Sequence, residues 1–180
     1  MKPARIGSWQ PYHQDQPLGF HVDPPDMVTC WAPMDRATVE NGCLWVLPGT
    51  HRAGVIPREK WLEYEGEAVA GKLSRERPLE LEIGDCSFHH GLLLHSSRAN
   101  SSPERRRGYA THYVSSHCRY TAPSGKSDAL LMRGQSIPGC IYIVQRSGNP
   151  LPSGPPMHPG STPALWQLIS APLRALKPWR

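Results

Sequence analysis

Residues 11–15 read Pro-Tyr-His-Gln-Asp, placing an imidazole and a carboxylate two positions apart. On an extended strand, positions i and i+2 point the same way and lie roughly 6.6 Å apart, so His13 and Asp15 can aim at one point while Gln14 faces away. Such a pair suits a metal ion, but alone it equally describes a polar loop. A third ligand is needed, and the chain holds nine histidines. Three of them, His89, His90 and His95, sit in the apolar stretch FHHGLLLH. There, a hydrogen-bonded core imidazole and a ligand are both open readings.

Two imidazoles and one carboxylate leave coordination positions free, the arrangement used by non-haem Fe(II) oxygenases. That chemistry calls for a cation to fix an acidic cosubstrate. Arg106 follows His95 by eleven residues and heads a stretch in which Gly108 and Ala110 share its face. A guanidinium grips a carboxylate bidentately, and small neighbours leave room for a slender dicarboxylate. Arg105 and Arg107 read as a solvated basic turn.

The elements that must carry these residues are short. MVTCWAPM (27–34) and CLWVL (43–47) are predicted strands, joined through the Asn41-Gly42 turn signal as neighbours. PREKWLEYEG predicts one short surface helix ending at Gly66, a lid or insertion. LELEI (79–83) alternates at period two, CSFHH (86–90) and LLLH (92–95) are broken by Gly91, and RRGYATHYVSS (106–116) forms the next strand. From about Gln145 to Pro163 the chain is rich in Pro, Gly and Ser, which predicts a disordered linker before a helix over ALWQLIS.

Twenty prolines and sixteen glycines in 180 residues, with 38% hydrophobic residues, favour short strands and many turns over long helices. Five dispersed cysteines without a C-x-x-C pair predict reduced thiols. The net charge of +5 comes partly from Arg105–Arg107 and the basic C-terminus, and no basic helix or interleaved aromatic pattern points to nucleic acid. No apolar run is long enough to span a membrane or act as a signal core. The C-terminal Lys-Pro-Trp-Arg is no peroxisomal signal, so a cytoplasmic location is expected.

Four stretches carry a specific resemblance: PYHQD, VTCWAPMDRATVENGCLWVLPGTHRAG, GDCSFHHGLLLHSSRANSS and RRRGYATHYV. Together they resemble the phytanoyl-CoA dioxygenase family of Fe(II)- and 2-oxoglutarate-dependent oxygenases over residues 1 to 116. The resemblance implies a mainly β double-stranded β-helix, or jelly-roll, over residues 1–140, with 141–180 as linker and short helix. It implies iron ligands at His13, Asp15 and His95 rather than His90. It also implies a 2-oxoglutarate arginine at Arg106 and a tryptophan lining the cosubstrate pocket at Trp31. Fe(II), 2-oxoglutarate and O2 would then convert a small organic substrate to its hydroxylated product, with succinate and CO2 released. An aspartate in the triad argues against halogenation, which needs the carboxylate's coordination position for halide.

The chain departs from that family in having only twelve residues before His13, where members carry a longer segment including the first core strand. The jelly-roll is therefore expected to be incomplete at its N-terminal side, with an exposed sheet edge prone to self-association. A non-catalytic remnant and a zinc- or manganese-holding isomerase are the competing readings. Tyr12 stands where tryptophan is common.

Overall fold

The computed structural model describes residues 1–121 and 129–141. The linker and the helix predicted beyond Gln145 lie outside the described residues, as does all but the first residue of the predicted segment 141–180. Everything below belongs to one unit, Met1–Gln145.

Nine strands, among the described residues, form two main sheets and a small ribbon. They are β1 (Gln10–His13), β2 (Val22–Asp23), β3 (Met27–Pro33), β4 (Leu44–Val46), β5 (Arg77–Leu79), β6 (Ser87–His90), β7 (His95–Ser97), β8 (Gly108–Val114) and β9 (Arg119–Tyr120). One sheet has the order β1-β7-β4-β5, another β6-β3-β8, and β2 pairs with β9. All the pairings are antiparallel. This mainly β architecture is the jelly-roll.

The period-two logic works best on β3, where Met27, Thr29, Trp31 and Pro33 are buried and the residues between them are partly exposed. Each inward position is therefore fixed by the pleat. A cavity of about 300 Å³ opens between the two sheets and takes side chains from both.

Several expectations need correcting. The strands around Asn41-Gly42 are not neighbours: both edges of β3 are taken, by β6 and β8, so β4 pairs with β7 in the other sheet. The predicted strand 79–83 is displaced to Arg77–Leu79, and Leu81 makes only an isolated bridge to Ala37. Leu92 belongs to the turn after Gly91, so the following strand begins at His95 rather than at Leu92.

The helix α1 (Arg58–Val69) continues through Gly66. A mid-helix glycine costs about 1 kcal/mol. Burial of Ala68 in a cluster with Tyr12, Leu47, Ile56, Trp61 and Leu94 compensates for it. That packing makes α1 a wall rather than a lid. It lies against β1, the edge strand, and Glu65 accepts a 2.8 Å hydrogen bond from the Tyr12 backbone N–H. Part of the edge expected to be exposed is thus covered. The first residues also run beside the segment before β8, with bridges Lys2–Arg106 and Gly7–Asn100. No helix among the described residues is long and apolar enough to cross a membrane.

Candidate active site

His13 ends β1 and stands in register with His95, which opens β7, so antiparallel pairing alone brings the two imidazoles together. Their ring centroids are 4.2 Å apart. Asp15 is reached differently from the expected strand: its φ of −62° and ψ of −43° are helical, at the entrance to a short helical turn over Gln16–Phe20. The turn swings the carboxylate back under the histidines. Gln14, between them, is fully buried on the other side and ties Gly54 and Leu92 carbonyls to the Ile56 N–H.

Hydrogen bonding decides which ring nitrogens carry protons. His13 Nδ1 lies 2.7 Å from the Pro11 carbonyl and His95 Nδ1 lies 3.0 Å from the Leu93 carbonyl. A carbonyl only accepts, so both Nδ1 atoms carry the hydrogen and both Nε2 atoms present lone pairs. Those atoms face Asp15 Oδ1 at 3.6 Å and 3.7 Å. One ligand atom from each of His13, Asp15 and His95 lies within 4.8 Å of the others. Three electron pairs converging without a proton among them repel unless a cation sits between, and the N,N,O donor set fits Fe(II).

Electrostatics favours the unprotonated forms of His95 and Asp15. Burial, with His13 adding to it, pushes His95 down to about 3. Burial would raise the Asp15 carboxyl, but the facing His89 and His95, together with the Thr29 hydroxyl that donates at 2.7 Å, outweigh it and hold the group well below the usual carboxylate range. Metal ligation requires these forms.

The same cavity has a cationic end. Arg106 is 5% exposed; its Nη2 donates to the Gly42 carbonyl at 2.6 Å, and its Nε is buried without a partner. Its guanidinium lies 5.3 Å from the Trp31 ring centre. Gly108 permits that: a Cβ there would come within 2.5 Å of the indole. Arg105 and Arg107 turn instead to Asp35, with Arg107 Nη2 2.7 Å from its carboxylate. Lys2 is buried beside Arg106 and donates to the carbonyls of Ser8 and Ser97. Burial and then the Arg106 charge lower its amine to about 8.

Thus His13, Asp15, His95, Arg106 and Trp31 all line one cavity. His90 does not line it and stacks on His51 with ring centres 5.6 Å apart. Sequence reasoning missed Thr29, His112 and Lys2, which line it too, and left His89, another lining residue, between core and ligand. A signal existed for His112: the face shared by Arg106, Gly108 and Ala110 reaches it at the next step of two. Thr29 likewise lies two before Trp31.

A profile of the phytanoyl-CoA dioxygenase family (PhyH) matches residues 1–108. The peroxisomal phytanoyl-CoA dioxygenase of Rattus norvegicus is 35% identical over 143 residues, covering 73% of this chain and 42% of the relative. A probable phytanoyl-CoA dioxygenase of Caenorhabditis elegans is 34% identical over 137 residues, covering 71% and 44%. Among solved structures, the non-heme monooxygenase ThoJ, as a nickel complex, superposes with a TM-score of 0.63 at 25% identity, covering 82% of this chain and 53% of that one. The non-heme alpha ketoglutarate dependent epimerase SnoN from nogalamycin biosynthesis gives 0.56 at 25% identity, covering 78% and 55%.

These matches rest on a jelly-roll core of the kind that houses iron- and 2-oxoglutarate-dependent oxygenases. The chain belongs to the phytanoyl-CoA dioxygenase family. It spans less than half the length of the curated relatives it matches.

Proposed function

We propose that the protein is a non-haem Fe(II)- and 2-oxoglutarate-dependent dioxygenase that hydroxylates a small organic substrate. One observation carries this reading: a cavity with three converging lone pairs at one end and a buried guanidinium with an unpartnered N–H at the other. In this reading His13, Asp15 and His95 hold Fe(II), Arg106 takes the far carboxylate of 2-oxoglutarate, and Trp31 walls the cosubstrate. The metal, when bound, supplies the redox chemistry that couples O2 reduction and 2-oxoglutarate decarboxylation to oxidation of the substrate.

The chain's own contribution is positional. Pro11 and Leu93 carbonyls fix the two histidine tautomers, Thr29 anchors the carboxylate, and Trp31 sets the width of the arginine's slot. Ser96 and Ser97 add polar groups between the two ends. A second reading is a non-catalytic remnant that holds the metal without turning over. Purified chain supplied with Fe(II), 2-oxoglutarate and O2 distinguishes them: succinate formation that vanishes in His95→Ala supports the enzyme, whereas stoichiometric iron binding without any succinate sinks it in favour of the remnant.

A further inference from the structure

The cross-strand row on the cavity face of β6-β3-β8 is His89, Thr29, His112, with Thr29 directly opposite both histidines. His89 stands out within it. Its side chain is 4% exposed, and both of its ring nitrogens are buried without a hydrogen-bond partner. Leaving a buried polar group unpaired is costly, so an imidazole with two such atoms calls for an explanation. Its Nε2 faces Asp15 Oδ2 at 3.5 Å, longer than the usual 2.7–3.2 Å N–H···O range.

The remaining protons in the row can be assigned. The Thr29 hydroxyl has one hydrogen and gives it to Asp15 Oδ2 at 2.7 Å. His112 Nδ1, 2.9 Å from the same hydroxyl, must then be the donor to it. Every hydrogen along the row therefore runs towards Oδ2. Oδ1 is left alone towards His13 and His95. His89 is not itself part of the ligand set: among the described residues, the ligand atoms that converge within 4.8 Å come from His13, Asp15 and His95.

We propose that His89 is a positioning residue for the metal centre: its Nε2–H is the second donor to Asp15 Oδ2, and with Thr29 it reserves Oδ1 as the oxygen offered to the metal. The inference rests on the proposed metal reading of His13, Asp15 and His95 and adds to it. A carboxylate free to rotate can ligate through both oxygens. That second bond would occupy a position the chemistry needs open. Two donors on Oδ2 prevent it, and the contact gives the His89 Nε2–H a partner.

Cobalt(II) is the probe, titrated into the full 180-residue chain by calorimetry and visible absorption. His89→Phe should bind Co(II) about tenfold more weakly, in the range seen when outer-shell partners of a metal site are lost. Its absorption bands should shift. His89→Gln, whose amide N–H can reach the same oxygen, should recover affinity to within about threefold of the parent, together with the parental spectrum, at an unchanged melting temperature.

A His89→Phe protein with parental affinity and spectrum overturns the proposal. So does a folded His89→Gln protein as weak as His89→Phe, because packing and not donation would then be at work. His95→Ala separates the two levels: if it binds Co(II) as well as the parent, the metal reading itself fails and takes this inference with it. If His95→Ala loses Co(II) while His89→Phe does not, only the role of His89 is refuted.

Discussion

The two ends of the cavity are built on opposite principles. At the acidic end the three converging side chains are held by the protein: His13 and His95 by carbonyls, Asp15 by Thr29. What the end lacks is a positive charge among its lone pairs. At the cationic end, Lys2 and Arg106 lie side by side, both buried, their N–H groups reaching only the carbonyls of Ser8, Ser97 and Gly42. No carboxylate pairs with either within 4.0 Å among the described residues, and Arg106 Nε has no partner at all. Burying a charge unpaired is costly. The lone pairs at one end and the buried cations at the other fit the proposed metal ion and dicarboxylate respectively.

Breaking the acidic end should have the largest effect. Asp15→Ala or His95→Ala should abolish Fe(II) binding at stoichiometric metal and reduce succinate formation to background, measured by calorimetry and product assay. His90→Ala should leave metal binding intact and affect stability alone. Equal losses from His90 and His95 would undo the assignment.

Breaking the cationic end comes next. Arg106→Lys should weaken 2-oxoglutarate by roughly 10- to 100-fold, since it gives up one or more charge-assisted hydrogen bonds. Metal affinity should not change. Arg105→Lys and Arg107→Lys, which face Asp35, should leave the cosubstrate Kd unaltered. Similar losses from all three would mean a diffuse basic patch.

Gly108→Ala tests the slot between the ends. The added methyl collides with the Trp31 ring and should cost about 1–3 kcal/mol in urea unfolding. Because Trp31 lies against Arg106, 2-oxoglutarate binding should suffer more than metal binding. Parental stability would show that the indole has room to retreat.

The smallest effect expected is a titration. With its amine lowered to about 8, Lys2 loses its proton in the folded chain before it would in the unfolded one, whose lysine titrates near 10.5. Between those values the unfolded chain binds more protons, so stability rises with pH across that window. Dicarboxylate binding should move the other way, weakening roughly two- to fivefold as pH passes 8 because one cation is lost. Lys2→Met should flatten both curves. A parental chain whose binding ignores pH across this window would remove Lys2 from the site.

How much of this was legible in the sequence depends on the range of the forces involved. His13, Asp15 and Arg106 could be picked out because their spacing and neighbours carry a pattern, whereas His95 in place of His90, and Trp31, followed only from the family resemblance. The conformation joining His13 to Asp15 could not, because the helical turn that begins at Asp15 is set by packing around it and a tripeptide does not encode that packing. His89 looked like core among apolar residues, and only the pairing of β6 with β3 shows it to face a carboxylate. The β3–β4 pairing was misread for the same reason: Asn41-Gly42 signals a turn but says nothing of which edges of β3 are already taken. Lys2 carries no motif, and its burial depends on a bridge to Arg106, more than a hundred residues away.

The fastening of α1 to β1 has a bearing on how such a chain tolerates change. Glu65 on the helix holds the Tyr12 N–H, and Glu76 beyond it holds the Tyr12 hydroxyl at 2.6 Å and pairs with Arg98. Tyr12 is the residue immediately before His13. A segment that looks like decoration on the surface is thus hinged to the strand that carries His13 through two acids. Insertions between α1 and β5 have open surface at Gly71, where a side chain would meet nothing within 4 Å, although the φ of +66° there favours keeping glycine itself. Changes at Glu65 or Glu76 would be transmitted one residue along to the imidazole. The protein therefore has room for an insertion near Gly71, but in a stretch pinned by Leu73 on the core and flanked by positions that are not free to vary, and a designer grafting a new substrate loop there would have to keep both acids.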